Sequence, residues 1–110
     1  MADRHPRYEE TPELRRLRRR IDTLDRRIVA LLNERAELAR DVGRAKAAAG
    51  RRAIRDVERE REVLLRVTMA NSGPLPQTDL LTVYRRLMTA TRALEARDRQ
   101  RAAAKDGDDR

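Results

Sequence analysis

Along the first half of the chain apolar residues recur in alternating steps of three and four: Leu14, Leu17, Ile21, Leu24, Ile28, Leu31, then Leu38, Val42 and Ala45. A seam of that period marks one face of a long α-helix, expected over roughly residues 13 to 48, about 50 Å at 1.5 Å per residue. Two breaks follow. In Ala49-Gly50-Arg51-Arg52-Ala53 the glycine suits a C-terminal cap, and few helices survive Asn71-Ser72-Gly73-Pro74-Leu75-Pro76. They delimit a second helix over roughly residues 56 to 70 and a third over roughly 78 to 98. In the third, Tyr84, Leu87, Met88 and Leu94 define the buried stripe, on which Thr91 and Glu95 also fall.

The pattern therefore predicts an all-α chain of three helices with one very long N-terminal helix. Residues 1–12, which carry Pro6 and Pro12, and residues 99–110, which lose apolar periodicity, are expected to be flexible tails around a helical domain at 13–98. The first helix is long beside the radius of gyration of about 13 Å expected for a compact globule of this size. The two shorter helices cannot cover its seam from end to end, and an intertwined homodimer is expected to do so.

Composition narrows the chemistry. The 110 residues include no Cys, Trp or Phe and one His, so the core must be aliphatic. A disulfide framework, a cysteine nucleophile and a cysteine metal site are excluded, and a lone His5 in a polar segment builds no metal cluster. No metal is expected. The N-terminus lacks an apolar signal core and no long apolar run exists, which makes the cytoplasm the expected location and a membrane an unexpected partner. A formal net charge of +8 favours anionic partners without choosing among them. The lack of aromatics argues against nucleic-acid stacking, and many of the arginines simply suit solvated helix faces.

The seam is interrupted at position 35 by an arginine. A guanidinium keeps its proton in a protein, so one placed in an apolar face needs an anion opposite it, from the protein or from a ligand. Lys46 follows eleven residues later, close to three turns, which puts both cations on nearly one face about 16 Å apart. Arg18 stands twenty-eight residues before Lys46, about 42 Å along the same rod. To serve a pocket near Lys46 it must come from a partner chain. Asp56, Arg59 and Glu60 share one side of the first turn of the second helix, with Asp56 also a candidate N-cap. An acid on an apolar face, Glu95, is a candidate to be held protonated and to donate a hydrogen bond as an amide would. Fixed cations, a threonine hydroxyl and two acids, with no nucleophile–base pair or phosphate loop, suit a compact dianion whose reaction needs only shape and charge stabilisation.

Four stretches carry a family resemblance: Leu17-Arg18-Arg19-Arg20-Ile21-Asp22-Thr23-Leu24-Asp25, Leu31-Leu32-Asn33-Glu34-Arg35, Val42-Gly43-Arg44-Ala45-Lys46 and Ile54-Arg55-Asp56-Val57-Glu58-Arg59-Glu60. In order and spacing the chain resembles the all-helical (type II) chorismate mutases. The resemblance implies a dimer with two sites, each built mainly from one chain, that rearranges chorismate to prephenate, the branch step toward phenylalanine and tyrosine, without a cofactor. It further implies that Arg18 of the partner chain and Arg35 grip the substrate carboxylates, with Thr91 beside one of them. Lys46 would bond a carboxylate and the ether oxygen, Asp56 and Glu60 would meet the ring hydroxyl, and Arg59 would support the carboxylate end. Lys46, Glu95 and Arg35 are the expected catalytic groups. Glu95 stands where a glutamine is common, so activity is expected to fall as pH rises through its ionisation. Arg92 occupies a pocket-adjacent position that is often apolar in this family.

Two other readings share these residues. Relatives of the same architecture eliminate pyruvate from isochorismate or rearrange an amino analogue of chorismate, though the Asp56 and Glu60 pair suits chorismate itself. A non-catalytic basic helical binding module would use Arg15, Arg16, Arg18, Arg19 and Arg20, and leaves the Arg35–Lys46 spacing unexplained. The stretch from Asn71 to Pro74 with the helix after it is also similar to mutase domains fused to, or partnered with, the first enzyme of the shikimate pathway. A synthase partner is therefore conceivable for a free-standing enzyme.

Overall fold

The computed structural model describes residues 9–51 and 56–108. Three helices follow in order: α1 (Pro12–Ala48), α2 (Val57–Ala70) and α3 (Gln77–Asp108). No strand occurs among the described residues. The fold is all-α, as the seam and the two breaks predict. His5 and the expected tail over 1–8, the break at 52–53, Ile54 and Arg55 of the fourth family-like stretch, and residues 109–110 lie outside the described residues.

Each helix starts and stops for a local reason. Thr11 caps α1: its hydroxyl accepts the Leu14 N–H at 3.1 Å and its carbonyl accepts the Arg15 N–H at 3.0 Å. Pro12 then takes the first helical position, where its missing N–H costs nothing. At the other end Gly50 sits at φ 72°. Its N–H reaches Ala47 O at 3.0 Å and the Arg51 N–H reaches Lys46 O at 2.9 Å. This is the paired closure of a Schellman cap, which needs a left-handed residue and so favours glycine. Asp56 begins α2 with its carboxylate accepting the Arg59 N–H at 2.9 Å, the N-cap role expected of it. Asn71 ends α2, and its side-chain amide donates to Leu75 O at 3.1 Å across the bend.

The end of α3 differs from expectation. The helix continues to Asp108 rather than stopping near residue 98. Apolar periodicity does stop there, but Arg101, Ala102, Ala103, Ala104 and Lys105 are strong helix formers, and propensity sustains the turns that packing does not require.

The chain divides into two compact units, Met1–Arg35 and Ala36–Arg110. In the first, the apolar seam is open to water: Leu17, Ile21, Leu24, Ile28 and Leu31 are between 41% and 59% exposed. In the second, α2 packs against α3. Val63, Leu64 and Val67 of α2 and Leu80, Leu81, Tyr84, Leu87 and Leu94 of α3 are half-buried, and Met88 is the only described apolar residue that is fully buried. The stripe expected of α3 is therefore its inner face.

Candidate functional site

The end of α1 and the C-terminal half of α3 meet in the second unit. Arg40 clamps Asp98 with two parallel hydrogen bonds, Nε to Oδ2 at 3.0 Å and an Nη to Oδ1 at 3.1 Å, and also bonds Glu37 at 3.0 Å. A planar guanidinium facing a carboxylate in this way fixes orientation as well as distance. The Arg40 hydrogen bond holds the Asp98 carboxyl below the usual aspartate range, and Asp98 in turn raises Arg40.

One turn along each helix, Gly43 faces Glu95. A β-carbon built on Gly43 would lie 3.8 Å from Glu95 Cγ. The bare backbone thus receives the acid's side chain, and Lys46, three residues on and half-buried, lies on the same face of α1. Glu95 is half-buried as well, so it neither swings out to solvent nor pairs with Arg92, the ordinary fates of an acid near a helix end. Thr91 lies a turn before Glu95 on the inner face. Its hydroxyl donates to Leu87 O at 2.9 Å, so it would have to rotate to donate to a carboxylate.

Glu60 and Arg92 come together across α2 and α3. The Arg92 Nη1 group donates to Glu60 Oε2, and its Nη2 donates to Thr89 Oγ1 at 3.1 Å. The family resemblance puts Arg92 beside the pocket but supplies no partner for it. A link between helices 32 residues apart in sequence depends on how they pack, and no spacing along α3 signals it.

The other four candidates have the following local surroundings. Asp56 is half-buried at its capping position, while Arg59 is exposed and bonds Glu62 at 3.2 Å; Glu62 also pairs with Arg66. In the first unit, Arg35 is half-buried, whereas Arg18 is exposed and its guanidinium is engaged by Glu10. The Arg18–Glu10 pair ties α1 to a residue of the segment whose composition predicts a tail. A shallow hollow lined by Val67, Asn71, Gly73, Leu80 and Tyr84 among others lies at the α2–α3 bend, and none of the eight candidate residues borders it. Among the described residues no group of three or more His, Cys, Asp or Glu side chains is placed to hold a metal ion, and no helix is long and apolar enough to cross a membrane.

The chain is all-helical, and where α1 meets α3 an acid lies against a bare glycine with a lysine on the same face. Comparison with known proteins is more specific: the family model for chorismate mutase type II matches residues 17–96, and the chain belongs to that family. It is 40% identical over 90 residues to a bifunctional chorismate mutase/prephenate dehydratase of Stutzerimonas stutzeri, covering 78% of this chain and 25% of that protein. A protein of the same description from Aquifex aeolicus is 40% identical over 87 residues, covering 76% of this chain and 24% of that one. The chain thus spans about a quarter of the length of these curated relatives. Among solved structures, form II of chorismate mutase from Thermus thermophilus superposes with a TM-score of 0.72 at 32% identity, covering 77% of this chain and 96% of that one. None of these matches favours isochorismate-pyruvate lyase, an aminodeoxychorismate mutase or a basic binding module.

Proposed function

We propose that this protein is a cytoplasmic chorismate mutase, an isomerase that rearranges chorismate to prephenate, acting as a homodimer in which Arg18 of each chain serves the other chain's site. The observation that carries the reading is the approach of Glu95 to Gly43 one turn from Lys46. In this reaction the carbon–oxygen bond breaks ahead of carbon–carbon bond formation, and negative charge gathers on the ether oxygen. Donors held at that oxygen lower the transition state more than the substrate. Lys46 is one such donor, and Glu95 stands at the position of the other. Arg35 and the partner's Arg18 grip the two carboxylates and hold the substrate in a compact chair, restricting rotation before the reaction. The Glu60 carboxylate accepts from the ring hydroxyl, Asp56 meets that hydroxyl through its backbone, and Arg59 and Thr91 exchange their present partners for the carboxylate end. The open seam from Leu17 to Leu31 supports a second copy as its cover.

Subunit complementation tests the whole reading. Purified protein should convert chorismate to prephenate. Lys46→Ala and Arg18→Ala should each lose on the order of 10²–10³ in rate, the usual cost of a preorganised donor, while remaining helical. Mixed and allowed to exchange, the two inactive variants should recover about one quarter of wild-type activity, because half the dimers are mixed and each mixed dimer holds one intact site. No recovery on mixing would remove the shared site, and no turnover of chorismate by wild type would remove the function.

A further inference from the structure

The Glu60–Arg92 pair, like Arg40–Asp98, differs from the ion pairs that lie along a single helix. Helix-surface pairs such as Arg16–Glu13, Arg44–Asp41 and Arg61–Glu58 have side chains 56–86% exposed. Those of Glu60 and Arg92 are 16% and 33% exposed. The pair also joins two helices. Arg92 is anchored on its second branch by Thr89, whose hydroxyl in turn donates to Arg85 O at 3.0 Å. The guanidinium therefore cannot follow Glu60 freely. It sets where one carboxylate oxygen lies.

We infer that Arg92 is a positioning residue for Glu60: by holding Oε2 from α3, it fixes the direction in which the carboxylate meets the ring hydroxyl of the substrate. The inference rests on the mutase reading above and adds a residue to it. A glutamate has three side-chain torsions, and ordering them when the substrate arrives would subtract from binding. A carboxylate already tied to a fixed cation has lost that freedom in the free protein, and its charge is balanced in a half-buried place. Arg92 thereby acts on recognition of the hydroxyl without touching the substrate. Direct attraction between Arg92 and a substrate carboxylate makes a different prediction, because it ignores the hydroxyl.

Steady-state kinetics on two substrates separate the possibilities: chorismate, and an analogue in which the ring hydroxyl is replaced by hydrogen. On chorismate, Arg92→Met should lower kcat/KM on the order of tenfold, about 1.4 kcal/mol of coupling. Arg92→Lys, which keeps a cation in reach, should recover part of the loss. Arg92→Met combined with Glu60→Gln should be no worse than Glu60→Gln alone. On the analogue, Arg92→Met should match wild type. Melting curves show whether each variant is folded, and Arg92→Gln gives the same comparison if Arg92→Met does not fold. Equal losses on both substrates, additive effects in the double variant, or an unchanged kcat/KM for chorismate would each overturn the inference while leaving the mutase reading in place. A wild-type protein inactive on chorismate overturns both.

Discussion

Replacing Ile28 by aspartate should split the proposed dimer, and the size of the effect follows from the open seam. Leu17, Ile21, Leu24, Ile28 and Leu31 are each about half exposed in a single chain. Full burial of such a side chain stabilises by roughly 1.5–3 kcal/mol, so covering the remaining half contributes about 1 kcal/mol each. Ten side chains from two copies supply on the order of 10 kcal/mol, comparable with the roughly 4–15 kcal/mol lost in association. The seam is thus large enough to matter and too small to tolerate a charge. Ile28→Asp removes that contribution in both copies and sets two carboxylates in the interface, at several kcal/mol for each ion left without a partner. The dissociation constant should rise by at least about 10³, at 1.4 kcal/mol per decade. Arg26→Asp makes a larger charge change on the far side of the heptad and should leave association nearly intact. Sedimentation velocity over a dilution series, with activity measured in parallel, reads both variants. A wild-type protein that sediments as a monomer at micromolar concentration, or an Ile28→Asp protein that stays dimeric beside it, refutes the reasoning.

Three further outcomes are expected. An amide is a permanent hydrogen-bond donor, so Glu95→Gln should keep or raise kcat; a loss as large as that of Lys46→Ala removes Glu95 from the donor role. Asp98 is held below the ordinary aspartate value by Arg40. Its contribution to stability is therefore complete above the unfolded pKa of about 3.9 and is lost as pH falls through the lowered folded value, a slope in acid melting curves that Asp98→Asn should reduce. Gly50→Ala forces a β-carbon into φ 72° and should cost about 1–2 kcal/mol, seen as a lower denaturant midpoint.

What could be read from the chain alone was whatever depends on neighbours in sequence. The α1 seam, the Gly50 cap, the Asp56 cap and the inner stripe of α3 are set by period and by residue type, and they stand where expected. Helix α3 runs ten residues past the end of its apolar period, because the alanines and long polar residues after Asp98 need no packing to stay helical. The candidate site divides along the same line. That Glu95 and Lys46 are half-buried on the inner faces of their helices was legible from an acid and a cation at apolar-face positions. That Gly43 receives Glu95, that Arg40 clamps Asp98 and that Arg92 holds Glu60 are facts of helix placement, and the sequence offered several equally spaced partners for each. Arg59 illustrates the reverse, since the exposed pairing with Glu62 is what i,i+3 geometry alone suggests.

Met88 is the lone fully buried apolar side chain among the described residues. In the proposed dimer, most of the water-driven gain would then arrive only once two polypeptides meet. Refolding should be second order, its half-time shortening as concentration rises, and a newly made copy in a dilute cell would depend on collision with its sibling before it could resist proteolysis.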